Sequence, residues 1–99
     1  FKPLSKFPEM RRDLALVVTD VTPVADVMSL IREKAGDYLT KLNLFDIYQG
    51  KGIDPDRKSL ALGLTWQHPS RTLNEEEVNE AVENVLAHLA DRIDAQLRG

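Results

Sequence analysis

The sequence predicts an α+β fold in which a four-stranded antiparallel sheet carries two helices on one face. Two segments repeat apolar residues at helical spacing, and three others alternate apolar with small or polar residues, as half-buried strands do. Their order is strand, helix, strand, strand, helix, followed by a short segment that suits a last strand. Right-handed connections in this order bring both helices to the same side of the sheet.

Length and composition set the class of protein. The chain has 99 residues, 42% hydrophobic and 29% charged, so we expect residues 1–99 to form a single globular domain. The absence of cysteine excludes disulfides, thiolate catalysis and cysteine-bound zinc. No apolar run approaches the length needed to cross a bilayer and no signal-peptide pattern is seen, so we expect no membrane partner. The chain begins with Phe1 and not methionine, so we expect a fragment of a longer protein.

The first strand follows a segment without periodicity. Residues 1–12, which contain Pro3 and Pro8, are predicted to form an extended lead-in. Strand one is predicted over residues 14–19, where every second side chain is apolar and faces the core. These side chains are Leu14, Leu16 and Val18.

The first helix has recognisable ends. Thr22 is predicted to be its N-cap, with Pro23 in the first helical position, where the missing N–H of proline is not needed. Apolar residues then recur at helical spacing until Gly36, which predicts the end of the helix. They are Val24, Val27, Met28, Ile31 and Ala35.

In the second strand, predicted over residues 39–49, the alternation of apolar and polar residues changes phase. Leu42 and Leu44 are in phase, and then Phe45 and Ile47 take over the apolar positions. A bulge near Leu44 would restore a single apolar face towards the helices. On this interpretation Phe45 and Ile47 face the helices. The other side of the sheet then receives Asp46 and Tyr48.

The third strand, residues 59–67, follows a loop over residues 50–57 and has the clearest alternation. Its helix-facing side chains are bulky and apolar: Leu60, Leu62, Leu64 and Trp66. Its other side chains are small or polar: Ser59, Ala61, Gly63, Thr65 and Gln67.

The second helix begins at a capping box, with Asn74 as N-cap and Glu77 three residues later. Its buried stripe is predicted to contain Val78, Val82, Val85, Leu86 and Leu89. A short last strand over residues 95–98 would turn Leu97 inward and Arg98 outward. The complete βαββαβ order is the ferredoxin-like arrangement.

The side of the sheet away from the helices is predicted to be open and could bind a flat ligand. Tyr48 offers a ring on which a base can stack, and the small residues of the third strand leave room beside it. Asp46 and Ser59 could accept and donate hydrogen bonds at the edge of a guanine, and Arg98 adds a planar cation. The alternative is an ordinary half-exposed sheet, in which a tyrosine reflects strand propensity alone.

Other motifs point to no catalytic or metal site. Gly50-Lys51-Gly52 lacks the spacing of a nucleotide-binding loop, and His68 and His88 follow no metal-binding pattern. Three basic residues could contact phosphates, namely Arg11, Arg12 and Lys58. The net charge of −3, however, counts against tight RNA binding by the isolated chain.

Four motifs, in order, carry a resemblance to a known family. They are FPxxRRDLALVV at residues 7–18, LFDIYQG at 44–50, KSLA at 58–61 and RTLNEEEV at 71–78. Together they resemble the ferredoxin-fold anticodon-binding domain, the C-terminal module of bacterial phenylalanyl-tRNA synthetase beta subunits. The resemblance implies that the open side of the sheet receives the anticodon loop of tRNA-Phe. The positions that match the family's RNA contacts are Ala15, Asp46, Tyr48, Ser59 and Arg98.

The same resemblance implies the remaining roles. The first anticodon base, guanine, would stack on Tyr48 and be read by Asp46 and Ser59, with Arg98 near the following adenines. The parent enzyme would be a cytoplasmic α2β2 heterotetramer using ATP and magnesium, whereas this fragment would hold neither cofactor and catalyse nothing. The alternative is a ferredoxin-like protein-interaction or small-ligand regulatory module without RNA binding. The turn at residues 19–23 contains no glycine, which argues against the ligand-binding version of that alternative.

Overall fold

The computed structural model describes residues 8–98, and these form the predicted ferredoxin-like α+β fold. The sheet has four antiparallel strands in the order β2-β3-β1-β4. Within the described residues, neither helix combines the length and the hydropathy needed to span a membrane. The elements are β1 (Met10–Thr19), α1 (Val24–Lys34), β2 (Leu39–Tyr48), β3 (Arg57–Trp66), α2 (Glu75–Ile93) and β4 (Gln96–Leu97).

The core lies between the helices and the bulky side of β3. β3 pairs along its whole length with β1 on one edge and with β2 on the other. Its helix-facing side chains are almost completely buried, as predicted: Leu60, Leu62, Leu64 and Trp66. The Trp66 indole N–H donates to the Ala35 carbonyl at 2.8 Å, which satisfies its polar atom and ties the end of β3 to the end of α1. The helices contribute buried side chains that include Val27, Ile31, Val78, Val85 and Leu89.

The first strand begins earlier than the sequence predicts. Met10 opposes Trp66 and Arg12 opposes Leu64 in the β1–β3 register. The predicted lead-in is therefore wrong for residues 10–12, because pairing with a distant strand extends β1 where local periodicity is weak. Residues 1–7 of that lead-in lie outside the described residues.

The first helix has a different N-cap from the predicted one. Pro23 occupies the N-cap position with extended backbone angles, and the Thr22 hydroxyl instead lies within hydrogen-bonding distance of the Thr19 hydroxyl. The predicted N-cap at Thr22 is thus wrong, because a nearer partner takes its side chain. The predicted end is confirmed: Ala35 is the C-cap and Gly36, next in the chain, has φ +92°, a backbone angle that favours glycine.

The second helix begins at the predicted capping box. Asn74 Oδ1 accepts from the Glu77 N–H at 2.8 Å, and Glu77 Oε2 accepts from the Asn74 N–H at 3.0 Å. Arg71 also donates two hydrogen bonds to the Glu77 carboxylate, at 2.7 and 2.8 Å. The bonds from Arg71 and then from Asn74 lower the pKa of Glu77 to about 2, and the same pair raises the pKa of Arg71.

Replacing Glu77 with glutamine is expected to lower the free energy of unfolding at neutral pH. The loss should become smaller as the pH is lowered. The pKa of Glu77 is lowered on folding, so its stabilisation is complete above the ordinary glutamate pKa of 4.5 and is lost as the pH falls through about 2. Urea unfolding of both chains between about pH 7 and about pH 2 measures the difference.

Glu76→Gln is the matched control, because it removes a charge from the same helical turn without breaking the capping box. A difference between Glu77→Gln and the unmodified chain that stays constant down to the lowest pH would contradict this account.

Candidate nucleic-acid interface

The open face, defined as the side of the sheet away from the helices, is organised in rows across the strands. In one row Tyr48 of β2 opposes Ser59 of β3, which opposes Val17 of β1. In the next row Asp46 opposes Ala61, which opposes Ala15. A further row places Gly63 between Asn43 and Asp13. Since paired residues share a face, register alone brings residues from three strands together here.

Tyr48 lies at the β2 edge of the open face with its ring accessible. The residue is 37% exposed, and its hydroxyl donates to the Lys51 carbonyl at 2.8 Å. This bond to the following loop fixes the far end of the ring. The Arg98 guanidinium carbon lies 5.6 Å from the ring centroid, a cation–π distance. The ring is thus anchored at its edge and already supports one planar group on its face.

Arg98 reaches its place through the last strand. β4 pairs with β1 over only two residues, and the Arg98 N–H extends this pairing by donating to the Ala15 carbonyl at 2.7 Å. From there the side chain crosses β1, and its terminal nitrogen lies 3.5 Å from the Ser59 hydroxyl. The small Ala15 side chain leaves space for this crossing. The predicted last strand is therefore present but limited to Gln96–Leu97, with Arg98 on the predicted side of the sheet. Leu97 opposes the helix-facing Leu16, as predicted, but it is 54% exposed at the end of the sheet.

The two predicted polar contacts differ in accessibility. Asp46 is exposed, and its Oδ1 accepts the nearby Ile47 N–H at 2.9 Å, which uses one of the several acceptor positions of a carboxylate. Ser59 is only 5% exposed, and Thr65 on the same side of β3 is only 6% exposed. The expectation of a bare outer side of β3 is wrong at these two positions. At Ser59 the reason is that the Arg98 side chain reaches over it from beyond β1.

Phe45 lies on the opposite side of the sheet from the one predicted. The β2–β3 register shifts between Leu44 and Asp46, and this bulge confirms the predicted irregularity. Leu44 and Ile47 oppose helix-facing residues of β3, whereas Phe45 is the extra residue. Its ring lies over Gly63 on the open face: a Cβ at position 63 would be 2.6 Å from the ring carbon Cε2. The residue is 53% exposed.

The candidate phosphate contacts are divided between the two sides of the sheet. Arg11 opposes Thr65 and so lies on the open face, where its Nε donates to Asp13 at 3.0 Å. Its guanidinium carbon is 5.0 Å from the centroid of the Phe45 ring. By register, Arg12 and Lys58 lie on the helix-covered side, away from the other candidates.

Both histidines contact other residues of the described part of the chain. His68 Nδ1 accepts from the Ser70 N–H at 2.9 Å, and its ring packs against Tyr38. His88 Nε2 lies 2.8 Å from Glu33 Oε2 and so joins α2 to α1. Over residues 8–98, no three His, Cys, Asp or Glu side chains are grouped so that they could hold a metal ion.

Comparison with known proteins identifies the family. Residues 5–98 match the ferredoxin-fold anticodon binding domain. The chain belongs to this family. Similar curated proteins are named phenylalanine–tRNA ligase beta subunit. That of Pseudomonas putida is 61% identical over 98 residues, that of Pseudomonas fluorescens 60% and that of Hahella chejuensis 48%. In each case the match covers 99% of this chain and 12% of the relative, so this anticodon-binding domain spans about an eighth of their length.

The family match confirms the resemblance recognised in the sequence motifs. It does not by itself assign RNA contacts to residues of this anticodon-binding domain, so Ala15, Asp46, Tyr48, Ser59 and Arg98 stay predictions, now placed together on the open face. Phe45 is the residue that sequence reasoning missed. A glycine in the middle of a regular strand was the available signal, since such a glycine often marks close approach by another group.

The contact between the Phe45 ring and Gly63 can be tested in this anticodon-binding domain by a double-mutant cycle. We expect Gly63→Ala to be about 1 kcal/mol more unfavourable in the unmodified chain than in a Phe45→Ala background, because the added methyl conflicts with the ring only when the ring is present. Urea unfolding of the four chains gives the coupling. Equal effects in both backgrounds would show that the ring does not rest on Gly63.

Proposed function

We propose that this chain docks the anticodon loop of tRNA-Phe on its open face, as a module of a phenylalanine–tRNA ligase beta subunit. One observation carries the proposal: Tyr48 presents an accessible ring on the open face, in the row next to the exposed carboxylate of Asp46. Membership of an anticodon-binding family supports the choice of ligand, and the names of the relatives support the choice of tRNA.

The arrangement suits an unpaired guanine. Its ring would stack on Tyr48, and the Asp46 carboxylate would accept hydrogen bonds from the guanine edge. Arg98 now lies against the Tyr48 ring and close to Ser59, so a base would either share the ring with the guanidinium or displace it. A displaced Arg98 would be free to contact the neighbouring nucleotides, and Ser59 would become accessible at the same time.

The net charge of −3 does not describe the open face. α2 packs on the other side of the sheet and carries much of the acidic charge: Glu75, Glu76, Glu77, Glu80, Glu83 and Asp91. The open face carries both signs of charge: Arg11 and Arg98 lie beside the two aromatic rings, with Asp13 and Asp46 on the same face. The strongly acidic side of the domain is therefore the helix-covered side, not the side proposed to bind RNA.

For the longer protein we propose the remaining roles that the family implies. It would be the beta chain of an α2β2 enzyme in the cytoplasm, joining phenylalanine to tRNA-Phe with ATP and magnesium. We propose no site for either cofactor in this chain. The part played by this domain would be positional, since holding the anticodon fixes where the acceptor end of the tRNA can reach.

NMR titration of the chain with a tRNA-Phe anticodon stem-loop tests the proposal directly. We expect the resonances of Tyr48, Asp46 and Arg98 to shift. Tyr48→Ala is expected to weaken binding by about 1–3 kcal/mol, because a stacking platform is lost. Tyr38→Ala is the matched control: Tyr38 is also half-exposed, at 41%, but it immediately precedes β2, at the end of that strand about 30 Å from Tyr48.

Unchanged affinity of Tyr48→Ala, with its circular dichroism spectrum also unchanged, would show that this site is wrongly assigned. Self-association of the chain without any response to the stem-loop would instead favour the protein-interaction alternative.

Asp46→Asn is expected to reduce the preference for guanine at the first anticodon position, because an amide presents a donor where the carboxylate presented an acceptor. The measurement compares four stem-loops that differ only in that base, for the unmodified chain and for the variant. Equal binding of all four stem-loops by the unmodified chain would exclude a role of Asp46 in reading the base.

A further inference from the structure

Phe45 and Arg11 form a second aromatic–guanidinium pair on the open face, which the family resemblance does not assign to RNA. The Arg11 guanidinium carbon is 5.0 Å from the Phe45 ring centroid, and that of Arg98 is 5.6 Å from the Tyr48 ring centroid. The two pairs therefore repeat the same combination of a ring and a planar cation. In each pair the ring comes from β2 and the arginine approaches from the other side of β3.

The exposure of Phe45 follows from the backbone and is not a packing defect. The bulge in β2 turns the side chain away from the helices, and Gly63 leaves room for the ring directly against β3. One part of the ring is thus held against the sheet while the residue as a whole stays 53% exposed. A ring fixed in this way is prepared for stacking, because little conformational freedom remains to be lost on binding.

Arg11 is prepared in a similar way. Its Nε donates to Asp13 at 3.0 Å, which orients the guanidinium beside the Phe45 ring. A guanidinium carries five N–H donors, so the terminal nitrogens can still donate to a phosphate. An aromatic ring with a phosphate-binding cation beside it is the combination with which proteins bind single-stranded RNA.

We propose that Phe45 and Arg11 form a second nucleotide site on the open face, where the ring stacks a base and the guanidinium contacts the adjoining phosphate. This inference rests on the proposed function and extends it from one stacked base to two. The phenyl ring offers no hydrogen bond to a base edge, so the second site accepts any base and adds affinity without adding sequence preference.

The separation of the two sites sets the conformation of the RNA. Phe45 lies over Gly63 and Tyr48 opposes Ser59, four residues along β3, which corresponds to about 13 Å. Stacked neighbouring bases rise by only about 3.4 Å. The two rings therefore cannot hold two bases stacked on each other. They require bases splayed apart along the sheet, as in other sheet-based readers of single-stranded RNA.

The competing explanation is that Phe45 only covers the Gly63 backbone. Phe45→Leu separates the two, because leucine keeps an apolar cover over Gly63 but has no aromatic face. We expect Phe45→Leu to bind the tRNA-Phe anticodon stem-loop about 5- to 150-fold more weakly, the range for loss of one stacked base. Ile47→Ala is the matched control, since Ile47 is 49% exposed on the same strand but on the helix-covered side, and it should bind within about twofold of the unmodified chain.

Two further measurements test the second site without requiring that Phe45→Leu folds. In the unmodified chain, the Phe45 ring resonances should shift when the stem-loop is added. Arg11→Gln should make the dependence of log K on log salt concentration less steep by about 0.7, the change expected when one phosphate of a single strand is no longer neutralised by the protein.

The outcomes separate this inference from the proposed function. The second site would be overturned, and the first left intact, if Tyr48→Ala weakens binding but Phe45→Leu does not. In that case the Phe45 ring resonances of the unmodified chain would also not shift when the stem-loop is added. If Phe45→Leu does not fold, the ring resonances and the salt dependence decide. Failure of the unmodified chain to bind the stem-loop at all would overturn both proposals.

Discussion

The division of β3 into a bulky side and a small side is the constraint on which the rest of the structure depends. β3 is paired on both edges, so its side chains cannot change sides without breaking two ladders. The leucines and Trp66 on one side require both helices to cover them. Ala61 and Gly63 on the other side leave room for Arg98 and Phe45 to lie close to the sheet. One strand thus determines where the core lies and where a ligand can approach.

Features of the fold that depend on neighbouring residues could be predicted from the sequence. The capping box at Asn74 and the end of α1 at Gly36 need only residues within one helical turn. The start of β1 could not be predicted in this way, because Met10 and Arg12 become part of the strand through partners more than fifty residues later. The N-cap of α1 differed because Thr22 had two competing partners, and sequence alone does not rank them.

Prediction of the candidate site was also limited by contacts between residues that are distant in the sequence. The predicted bulge correctly placed Asp46 and Tyr48, but either Leu44 or Phe45 could have been the extra residue. The choice is decided by space over Gly63, which lies on another strand. The cover over Ser59 is also non-local, since it comes from Arg98. Patterns along the chain therefore predicted which face matters, whereas the side chains that cover it depended on contacts across strands.

The bulge at Phe45 has a consequence for the outer edge of the sheet. β2 is a ten-residue edge strand with half-exposed apolar side chains, a combination that invites pairing with a strand of another molecule. Its register is interrupted twice, between Leu39 and Lys41 and between Leu44 and Asp46. Each interruption twists the strand and misaligns its outward N–H and C=O groups. The irregularity that exposes an aromatic ring thereby also protects the domain against edge-to-edge aggregation.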